Sequence, residues 1–461
     1  MRRFLARRVS RASGATHARA RARGFTLPEL MVSLVAGLIV TVAVMGLART
    51  ATNTFYEQVR STSSQMALRL ASQRLTNDLS RASFMSSGNI RWDPAIARVN
   101  ASCTLTGSRY TGLDNLAGIR LYMAGSTQNP ELTLETDNAL RPEAIDITGN
   151  MTSNDQYIAT APSVGGCTMT LDLLPNDPAV LRIVTSIQPD GTTPPRADVE
   201  ATALLRSIFL PVAGSRFPAR VTDTVGKTHF VVIADAFVAG GKATLTFAPP
   251  SSGPACPILE PTSSNQCGGA PGALGFAPVQ IAPIQTVRWS LRRVPNLRLD
   301  PPEDAAMKFD LVRQYVDATG ALAGLPEVIV EYATDLKFAF SVDQTPGIPN
   351  MLSFDFEDEI SNGAWAANTT NGVASSARNA ATDPAPHRIR SVRFRISDRA
   401  ARPDREFDLP GQPPGYPLRY CLDGPPSPTC VRYARLRTIT SEVALINQAR
   451  MNVIANTLPA Y

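Results

Sequence analysis

Histidine is scarce in this sequence of 461 residues, which contains only His17, His229 and His387. Few residues are therefore available to act as the base of a catalytic triad or to bind zinc through imidazole nitrogens. The HExxH, P-loop, GxSxG and dinucleotide-binding motifs are also absent. From these absences we expect no catalytic residue, no enzyme activity, no cofactor and no metal site.

Two segments resemble ligand-binding patterns only in part. The glycine-rich stretch CGGAPGALG at 267–275 follows a loop rich in proline and serine, and no helix is predicted after it, so we interpret it as a loop. The acidic run in SFDFEDEISNG could attract calcium, but its spacing departs from that of an EF-hand. We favour a solvated strand end or loop for its acids, which are Asp355, Glu357, Asp358 and Glu359.

Acidic residues are absent from the first 24 positions, where eight arginines lie. Eight positive charges exceed the formal net charge of +6 for the whole chain, so the remainder is slightly negative. The basic character therefore belongs to the N-terminal segment, and nucleic-acid binding is not expected. The arginines are Arg2, Arg3, Arg7, Arg8, Arg11, Arg19, Arg21 and Arg23.

The six cysteines lack the CxxC spacing of a zinc site or a thioredoxin-like motif. Proximity in sequence suggests two small disulfide loops in an oxidising compartment, with the two remaining cysteines as a third candidate pair. The candidate pairs are Cys256 with Cys267, Cys421 with Cys430, and Cys103 with Cys167. Buried free thiols are the alternative.

Charged residues are also missing from Leu30 to Ala48, and with residues 25–28 this apolar run is long enough to cross a bilayer as a helix. A cleavable secretory signal would be shorter and followed by an A-x-A site, which the sequence RTATNTFYEQ after the run lacks. One acid, Glu29, stands near the start. Because a carboxylate is costly in lipid, the run is either a plain membrane anchor or one that uses Glu29.

Gly24 followed by FTLPELMVSLVAGLIV resembles the class III signal of type IV prepilins and pseudopilins. In that family a prepilin peptidase cuts after the glycine and methylates the new N-terminus. The resemblance implies cleavage between Gly24 and Phe25, and N-methylation of Phe25. The family's acidic residue, fifth in the mature chain, corresponds to Glu29, and its implied role is to pair with the N-terminal ammonium of a neighbouring subunit.

Physical chemistry agrees with this implied role. A charge pair inside a low-dielectric bundle is tolerable only when both partners are present, so Glu29 would favour one register between subunits. Pro28 is harmless in the first helical turn, where N–H groups have no partner. The residues expected to take part in subunit assembly are Phe25, Leu27, Pro28 and Glu29.

Gly37 and Gly46 lie within the apolar run. Glycine weakens a helix by about 1 kcal/mol relative to alanine, which would allow local loosening inside a fibre. Close packing of small residues between helices is the alternative explanation.

The segment after Ala48 contains neither proline nor glycine before Gly88 and is predicted to continue the same helix to residue 85. Two apolar stripes at helical spacing lie on roughly opposite faces. One consists of Phe55, Val59, Met66 and Leu70, and the other of Leu68, Ala71, Leu75, Leu79 and Ala82. We expect one stripe to contact neighbouring helices in a fibre and the other to contact the protein's own sheet. A helix enclosed in a single core is the alternative.

Strand patterns dominate the rest of the chain. The sequence HFVVIADAFVAGGKATLTFAP predicts two strands joined at Gly240-Gly241. Three other segments alternate apolar and polar residues, which is typical of sheets with one buried face. Their apolar members are Val287, Trp289 and Leu291, then Leu336, Phe338, Phe340 and Val342, then Val392, Phe394 and Ile396. A helix packed on such sheets predicts an α+β fold.

The chain after the apolar run also resembles, in outline, the minor-pilin family called PilW. The similar segments are LRLASQRLTNDLSRASF, EVIVEYATDLKFAFSVD, HRIRSVRFRISDRA and RYARLRTITSEVALINQAR. The resemblance implies a type IV pilin-like fold, with a long N-terminal helix packed on a β-rich globular head. The predicted organisation is a leader at 1–24, a helix at 25–85 with its transmembrane part at 25–48, and an extracytoplasmic head at 86–461. Insertions are expected at 86–200 and 360–387, because the head is long for the family.

Together the resemblances imply a minor pilin that is made as a single-pass precursor in the inner membrane and then passes through the periplasm into a fibre at the cell surface. There it would prime pilus assembly in a tip complex. The implied partners are the prepilin peptidase, other minor and major pilins, and the inner membrane. Alternatives are a type II secretion pseudopilin, a tip adhesin or binding module, and a membrane-anchored hydrolase, which would need a pocket with converging titratable groups.

Overall fold

The computed structural model describes residues 26–90, 116–122, 141–160, 163–165, 168–186, 192–222, 228–247, 278–294, 308–343, 351–353, 386–400, 419–422 and 433–448, together with seven single positions. The chain divides into two compact units, residues 1–62 and 63–461. The first unit is described from Thr26 onward, and it consists of the first part of a long helix.

This helix, α1, spans Leu27–Ser80, which confirms that the apolar run and the segment after it form one helix. Pro28 lies in its first turn, where proline is tolerated. The helix ends at Ser80, before the predicted residue 85, because the backbone then turns toward a strand. Ser83 has a positive φ of 62°, and its N–H donates to the carbonyl of Thr148 at 2.8 Å.

Among the described residues, two shorter α-helices follow, α2 (Pro178–Val184) and α3 (Asp198–Phe209), and a 3-10 helix spans Pro386–Arg388. The strands of the described residues are β1 (Ile119–Tyr122), β2 (Ala144–Gly149), β3 (Tyr157–Ala159), β4 (Ser163–Gly165), β5 (Thr168–Asp172), β6 (Phe217–Thr222), β7 (Thr228–Ala239), β8 (Lys242–Phe247), β9 (Val279–Pro283), β10 (Gln285–Arg292), β11 (Asp310–Val316), β12 (Leu322–Val330), β13 (Ala333–Asp343), β14 (Met351–Ser353), β15 (Ile389–Arg399), β16 (Arg419–Cys421) and β17 (Tyr433–Ala444). The long helix and this β-rich remainder are consistent with the predicted α+β architecture.

The described strands form three sheets. The first sheet has the order β1-β2-β10-β11-β12, the second β14-β13-β15-β17-β16, and the third β3-β9-β6-β7-β8-β5-β4. One core joins the C-terminal part of α1 to the first and second sheets. The second predicted stripe lies in this core, which confirms that it contacts the protein's own sheets; its members are Leu68, Ala71, Leu75, Leu79 and Ala82.

The three predicted alternating segments are strands β10, β13 and β15, and their apolar members are all buried in the same core. The expectation that only one face of each strand is buried is wrong for β10 and for β13, where Lys337 and Ala339 are also buried. Arg288 and Ser290, on the polar face of β10, are 4% and 3% exposed. The burial of Arg288 is possible because Asp146 on β2 receives its guanidinium, with Nε 2.6 Å from Oδ1.

The third sheet has a separate core, which it shares with α2 and α3. The predicted hairpin is confirmed in it, because Ala239 of β7 pairs with Lys242 of β8. Gly240 and Gly241 have φ values of 57° and 75°, as a two-residue hairpin turn requires.

The residues of the third sheet are inserted between two neighbouring strands of the first. Gly149, at the end of β2, pairs with Gln285, at the start of β10. Strands β3 to β9 and both short helices come between these positions in the chain. The insertions expected at 86–200 and 360–387 stay predictions, and most of the second range lies outside the described residues.

Buried charges fasten the end of α1 to the first sheet. The carboxylate of Asp78 accepts hydrogen bonds from Trp289 Nε1 at 2.9 Å and from Arg313 Nε at 2.7 Å. Nearby, an exposed ion pair joins Arg74 to Glu327 at 2.9 Å. The buried contacts fix both the rotation and the height of the helix relative to strands β10 and β11.

Candidate functional site

The predicted assembly segment is described only in part. Gly24 and Phe25 lie outside the described residues, so the cleavage site and the N-methylation site stay predictions. Leu27, Pro28 and Glu29 form the first turn of α1, directly after Thr26, and all are exposed.

Thr26 and Glu29 are joined at the start of this helix. Glu29 Oε2 accepts a hydrogen bond from the Thr26 backbone N–H at 3.1 Å and another from the Thr26 hydroxyl at 3.0 Å. The carbonyl of Thr26 accepts the first helical hydrogen bond, from the N–H of Leu30 at 3.1 Å. This is the carboxylate half of a capping box, in which an acid three residues into the helix reaches back to the residue before it.

The role of Thr26 was missed in the sequence analysis. The signal was present, because the sequence TLPE at 26–29 has the Thr-x-x-Glu spacing of a capping box.

The cap uses only one oxygen of the carboxylate. Among the described residues, nothing donates to Glu29 Oε1. A carboxylate can accept several hydrogen bonds through its two oxygens. Thr26 therefore orients the group, while Oε1 remains able to accept from a donor on another molecule.

From Leu30 to Ala48 the surface of the helix is apolar on every side. By length and composition the helix could cross a membrane, and none of its most apolar window is buried. The large apolar side chains exposed at 27–47 are Leu27, Leu30, Met31, Val32, Leu34, Val35, Leu38, Ile39, Val40, Val42, Val44, Met45 and Leu47. A helix that is hydrophobic all round needs a membrane or other helices around it.

Hydroxyl groups in this run are satisfied by the helix itself. Ser33 donates to the carbonyl of Leu30 at 2.9 Å, and Thr41 donates to the carbonyl of Gly37 at 2.7 Å. An unpaired hydroxyl would be costly in hydrocarbon. These local bonds make the polar residues of the run compatible with lipid.

Within one chain, nothing requires glycine at position 37 or 46. A Cβ added at Gly37 or Gly46 would meet no atom within 4 Å. The carbonyl of each glycine also accepts a hydrogen bond from a threonine one turn later, which tends to bend a helix. Local loosening and close packing against another helix both stay predictions.

The first predicted stripe is exposed. Phe55 and Val59 in the first unit, and Met66 and Leu70 in the second, have 48–68% of their surface accessible. The contact of this stripe with neighbouring helices stays a prediction. Its exposure contrasts with the burial of the other stripe in the core.

The described part of the head contains no group of three or more histidine, cysteine and acidic residues that could hold a metal ion. Burial lowers the pKa of His387 to about 4, together with the nearby Arg388 and Arg390, so its ring is neutral at pH 7. The acidic run at 355–359 and the loop at 267–275 lie outside the described residues, apart from Phe356.

Of the six cysteines, Cys421 is described, at the end of β16. It is buried and is not a free thiol. Cys103, Cys167, Cys256, Cys267 and Cys430 lie outside the described residues. All three predicted pairings therefore stay predictions.

Comparison with known proteins adds one match. Residues 19–45 match the family model described as the prokaryotic N-terminal methylation motif. No curated protein and no solved structure matches the chain. The motif implies processing by a prepilin peptidase, assembly with other pilins, and membrane anchoring followed by a place on the cell surface. Together with the apolar helix, it indicates a type IV pilin-like protein or pseudopilin.

Proposed function

We propose that the protein is a PilW-type minor pilin that enters a type IV pilus and primes its assembly in a tip complex with other minor pilins. The half-used carboxylate of Glu29, at the head of a helix that is apolar all round, is the observation that supports this most directly. A charged group in that position needs a partner of opposite charge once it enters a bundle of helices.

The mechanism has two steps. Cleavage between Gly24 and Phe25 in the inner membrane creates an ammonium group on Phe25, and methylation leaves that group cationic. Glu29 Oε1 of one subunit then accepts from the Phe25 ammonium of its neighbour, while Thr26 holds the other oxygen. The contact forms only when the two helices are in register, so it selects the correct position of each added subunit.

The variant that tests this mechanism most sharply is Glu29→Gln. Glutamine keeps the side-chain oxygen that accepts from Thr26, but it removes the charge that attracts an ammonium group. We expect Glu29→Gln and Glu29→Val to insert into the membrane and to be processed normally, yet to be reduced at least tenfold in sheared fibres. Immunoblots of membrane and fibre fractions provide the measurement.

Thr41→Val is the matched control, because it removes a hydroxyl that bonds only to the helix itself. It should enter fibres at the wild-type level. Normal incorporation of Glu29→Gln would refute the charge-pairing role, and failure of Thr41→Val would show that any polar change in this helix blocks assembly.

The nearest rival is a type II secretion pseudopilin, which would carry the same signal with a shorter head. The long head favours the pilus. Deletion of the gene separates the two functions: loss of surface pili with normal protein secretion supports the minor pilin, and the reverse result supports the pseudopilin. The proposal assigns no catalytic activity to the chain.

A second candidate is an adhesin or binding module at the fibre tip. A polar pocket in the head favours this role, because such a pocket could take a ligand outside the cell. It is compatible with the minor pilin proposal, since one chain can prime a fibre and also present its head at the tip.

A further inference from the structure

A pocket of about 240 Å³ lies on the face of the first sheet that is turned away from α1. Alternation along β1, β2 and β10 determines which residues line it. Ile119, Ile145 and Val287 point into the core with the helix. Their neighbours in sequence point the other way, and those that line the pocket are Arg120, Asp146, Thr286 and Arg288. The third sheet contributes Pro218 to the wall.

The charges on the floor of the pocket neutralise each other. Arg288 donates to both oxygens of Asp146, from Nε to Oδ1 at 2.6 Å and from Nη2 to Oδ2 at 2.8 Å. The Tyr122 hydroxyl donates to Asp146 Oδ2 at 2.9 Å. Burial and the charge of Asp146 raise the pKa of Tyr122, which keeps the hydroxyl protonated. This network fixes the floor and leaves no net charge on it.

Arg120 lies opposite Asp146 in the pairing of β1 with β2, but among the described residues this carboxylate forms its ion pair with Arg288 and not with Arg120. The Arg120 guanidinium lies 5.5 Å from the centre of the Tyr122 ring, and it makes no ion pair or hydrogen bond with any residue of the described structure. The side chain is half-buried, so bulk water solvates it only in part. A guanidinium presents a planar fork of donors that matches the two oxygens of a carboxylate.

The rest of the lining offers groups that recognise hydroxyls. The Thr148 and Thr286 hydroxyls lie 2.9 Å apart and both line the pocket. Asp317, in the turn after β11, lines it too, and its Oδ1 accepts from the N–H groups of Thr319 and Ala321. Its Oδ2 is able to accept from a ligand hydroxyl.

We propose that this pocket binds a small carboxylate that also carries hydroxyl groups, of the sugar-acid class. The carboxylate would bind Arg120, and the hydroxyls would bind the threonine pair and Asp317. The volume is below the usual range of about 300–1,000 Å³ for sites of drug-sized ligands, which suits a single sugar ring. The proposal goes beyond the fibre role and does not depend on it.

Titration calorimetry on the full-length protein in detergent tests the proposal, with sodium glucuronate as the probe at pH 7. We expect saturable binding with a dissociation constant of ~1 mM, as is typical of a small polar ligand. Glucose, which lacks the carboxylate, and acetate, which lacks the hydroxyls, should each bind at least tenfold more weakly. Binding of glucuronate no tighter than that of glucose would overturn the proposal.

Variants locate the site. Arg120→Gln should weaken glucuronate binding tenfold or more, because a charge-assisted hydrogen bond is lost. Arg141→Gln, which changes an exposed arginine outside the pocket lining, should leave it unchanged. Thr286→Val should weaken the binding of glucuronate but not that of acetate.

Thermal unfolding followed by circular dichroism verifies that each variant is folded. If Arg120→Gln does not fold, the proposed site is still tested by the glucuronate affinity of Thr286→Val and by the relative affinities of the wild type for glucuronate, glucose and acetate. Unchanged glucuronate affinity in a folded Arg120→Gln, or in Thr286→Val, would contradict it, as would equal affinity for glucuronate and acetate.

Discussion

Among the described residues, two carboxylates accept hydrogen bonds from hydroxyl groups of α1 or of the residue just before it. Thr26 donates to Glu29, within the first turn. Ser64 donates to Asp398 Oδ2, on strand β15. Glu29 is exposed, whereas Asp398 is only 3% exposed. A hydroxyl–carboxylate hydrogen bond therefore orients an exposed acid at Glu29, whereas at Asp398 it lies in the buried contact between α1 and β15.

The burial of Asp398 predicts a pH dependence of stability. Burial raises the pKa of Asp398, although the hydrogen bond from Ser64 and the charge of Arg437 oppose the shift. A carboxyl with a raised pKa in the folded state binds its proton more tightly when folded. Its contribution to stability is therefore fully present below the unfolded pKa of about 4 and is lost as the pH rises through the folded pKa.

Asp398→Asn tests this pH dependence. The amide oxygen still accepts from Ser64, and the amide carries no charge at any pH. We expect the free energy of unfolding of wild type to fall relative to that of the variant between about pH 4 and pH 7. Urea denaturation at several pH values gives the measurement. A difference between the two proteins that does not change with pH would show that Asp398 carries no raised pKa.

At the level of elements, periodicity predicted the local structure well. The helical stripe from Leu68 to Ala82 and the positions of strands β10, β13 and β15 were found as predicted, because each pattern is contained in a short segment, although the opposite faces of β10 and β13 are buried as well. The hairpin at Gly240-Gly241 was predicted for the same reason.

The long-range polar pairs were not predicted. Arg288 meets Asp146 across 142 positions of sequence, and Arg313 meets Asp78 across 235. Residues so far apart in sequence produce no periodic or spacing signal, since each pair comes together only when the sheets form. The insertion of the third sheet between β2 and β10 was also not visible, because its strands follow the same alternation as all the others. At the candidate site, the Thr26 cap has a local signature, because Thr26 and Glu29 are only three positions apart.

The contact between α1 and the first sheet provides a prediction with an internal control. Asp78→Ala removes a buried carboxylate and leaves the buried Arg313 guanidinium with only the half-exposed Glu327, 3.7 Å away. Breaking such a pair costs about 3–5 kcal/mol. Arg74→Gln breaks an ion pair that is nearly half exposed on both sides, which costs about 0–1 kcal/mol.

Urea denaturation followed by tryptophan fluorescence compares the two variants, because Trp289 donates directly to Asp78. The fluorescence of the folded protein should also change in Asp78→Ala and not in Arg74→Gln. Equal loss of stability in both variants would contradict the view that the buried contact fastens the helix.

At the scale of the molecule, the described part of the second unit contains two large cores, beside three smaller apolar clusters. The core of the first and second sheets includes α1, and the core of the third sheet does not. Gly149 and Gln285 are paired neighbours, so the chain that leaves β2 returns beside the point where it left. The inserted residues therefore need not be present for β2 and β10 to pair.

Replacement of residues 152–283 by a short Gly/Ser linker tests this view. We expect the shortened protein to fold and to unfold in one cooperative transition by circular dichroism, because its main core is kept whole. It should lose some stability, since the bond from Gln285 to the carbonyl of Ile208 is lost, together with the apolar contacts of Phe230 with Ile284 and of Val232 with Ala318. A shortened protein without a cooperative transition would show that the two cores depend on each other.

The central claim is that the chain is made as a prepilin and that cleavage creates the partner of Glu29. Mass spectrometry of the mature N-terminus in purified fibres tests it most directly, with a strain that lacks the prepilin peptidase as the control. The claim predicts an N-methylated Phe25 as the first residue in fibres, and an intact leader in the control. A mature chain that begins at any other residue, or a Phe25 without the methyl group, would contradict it.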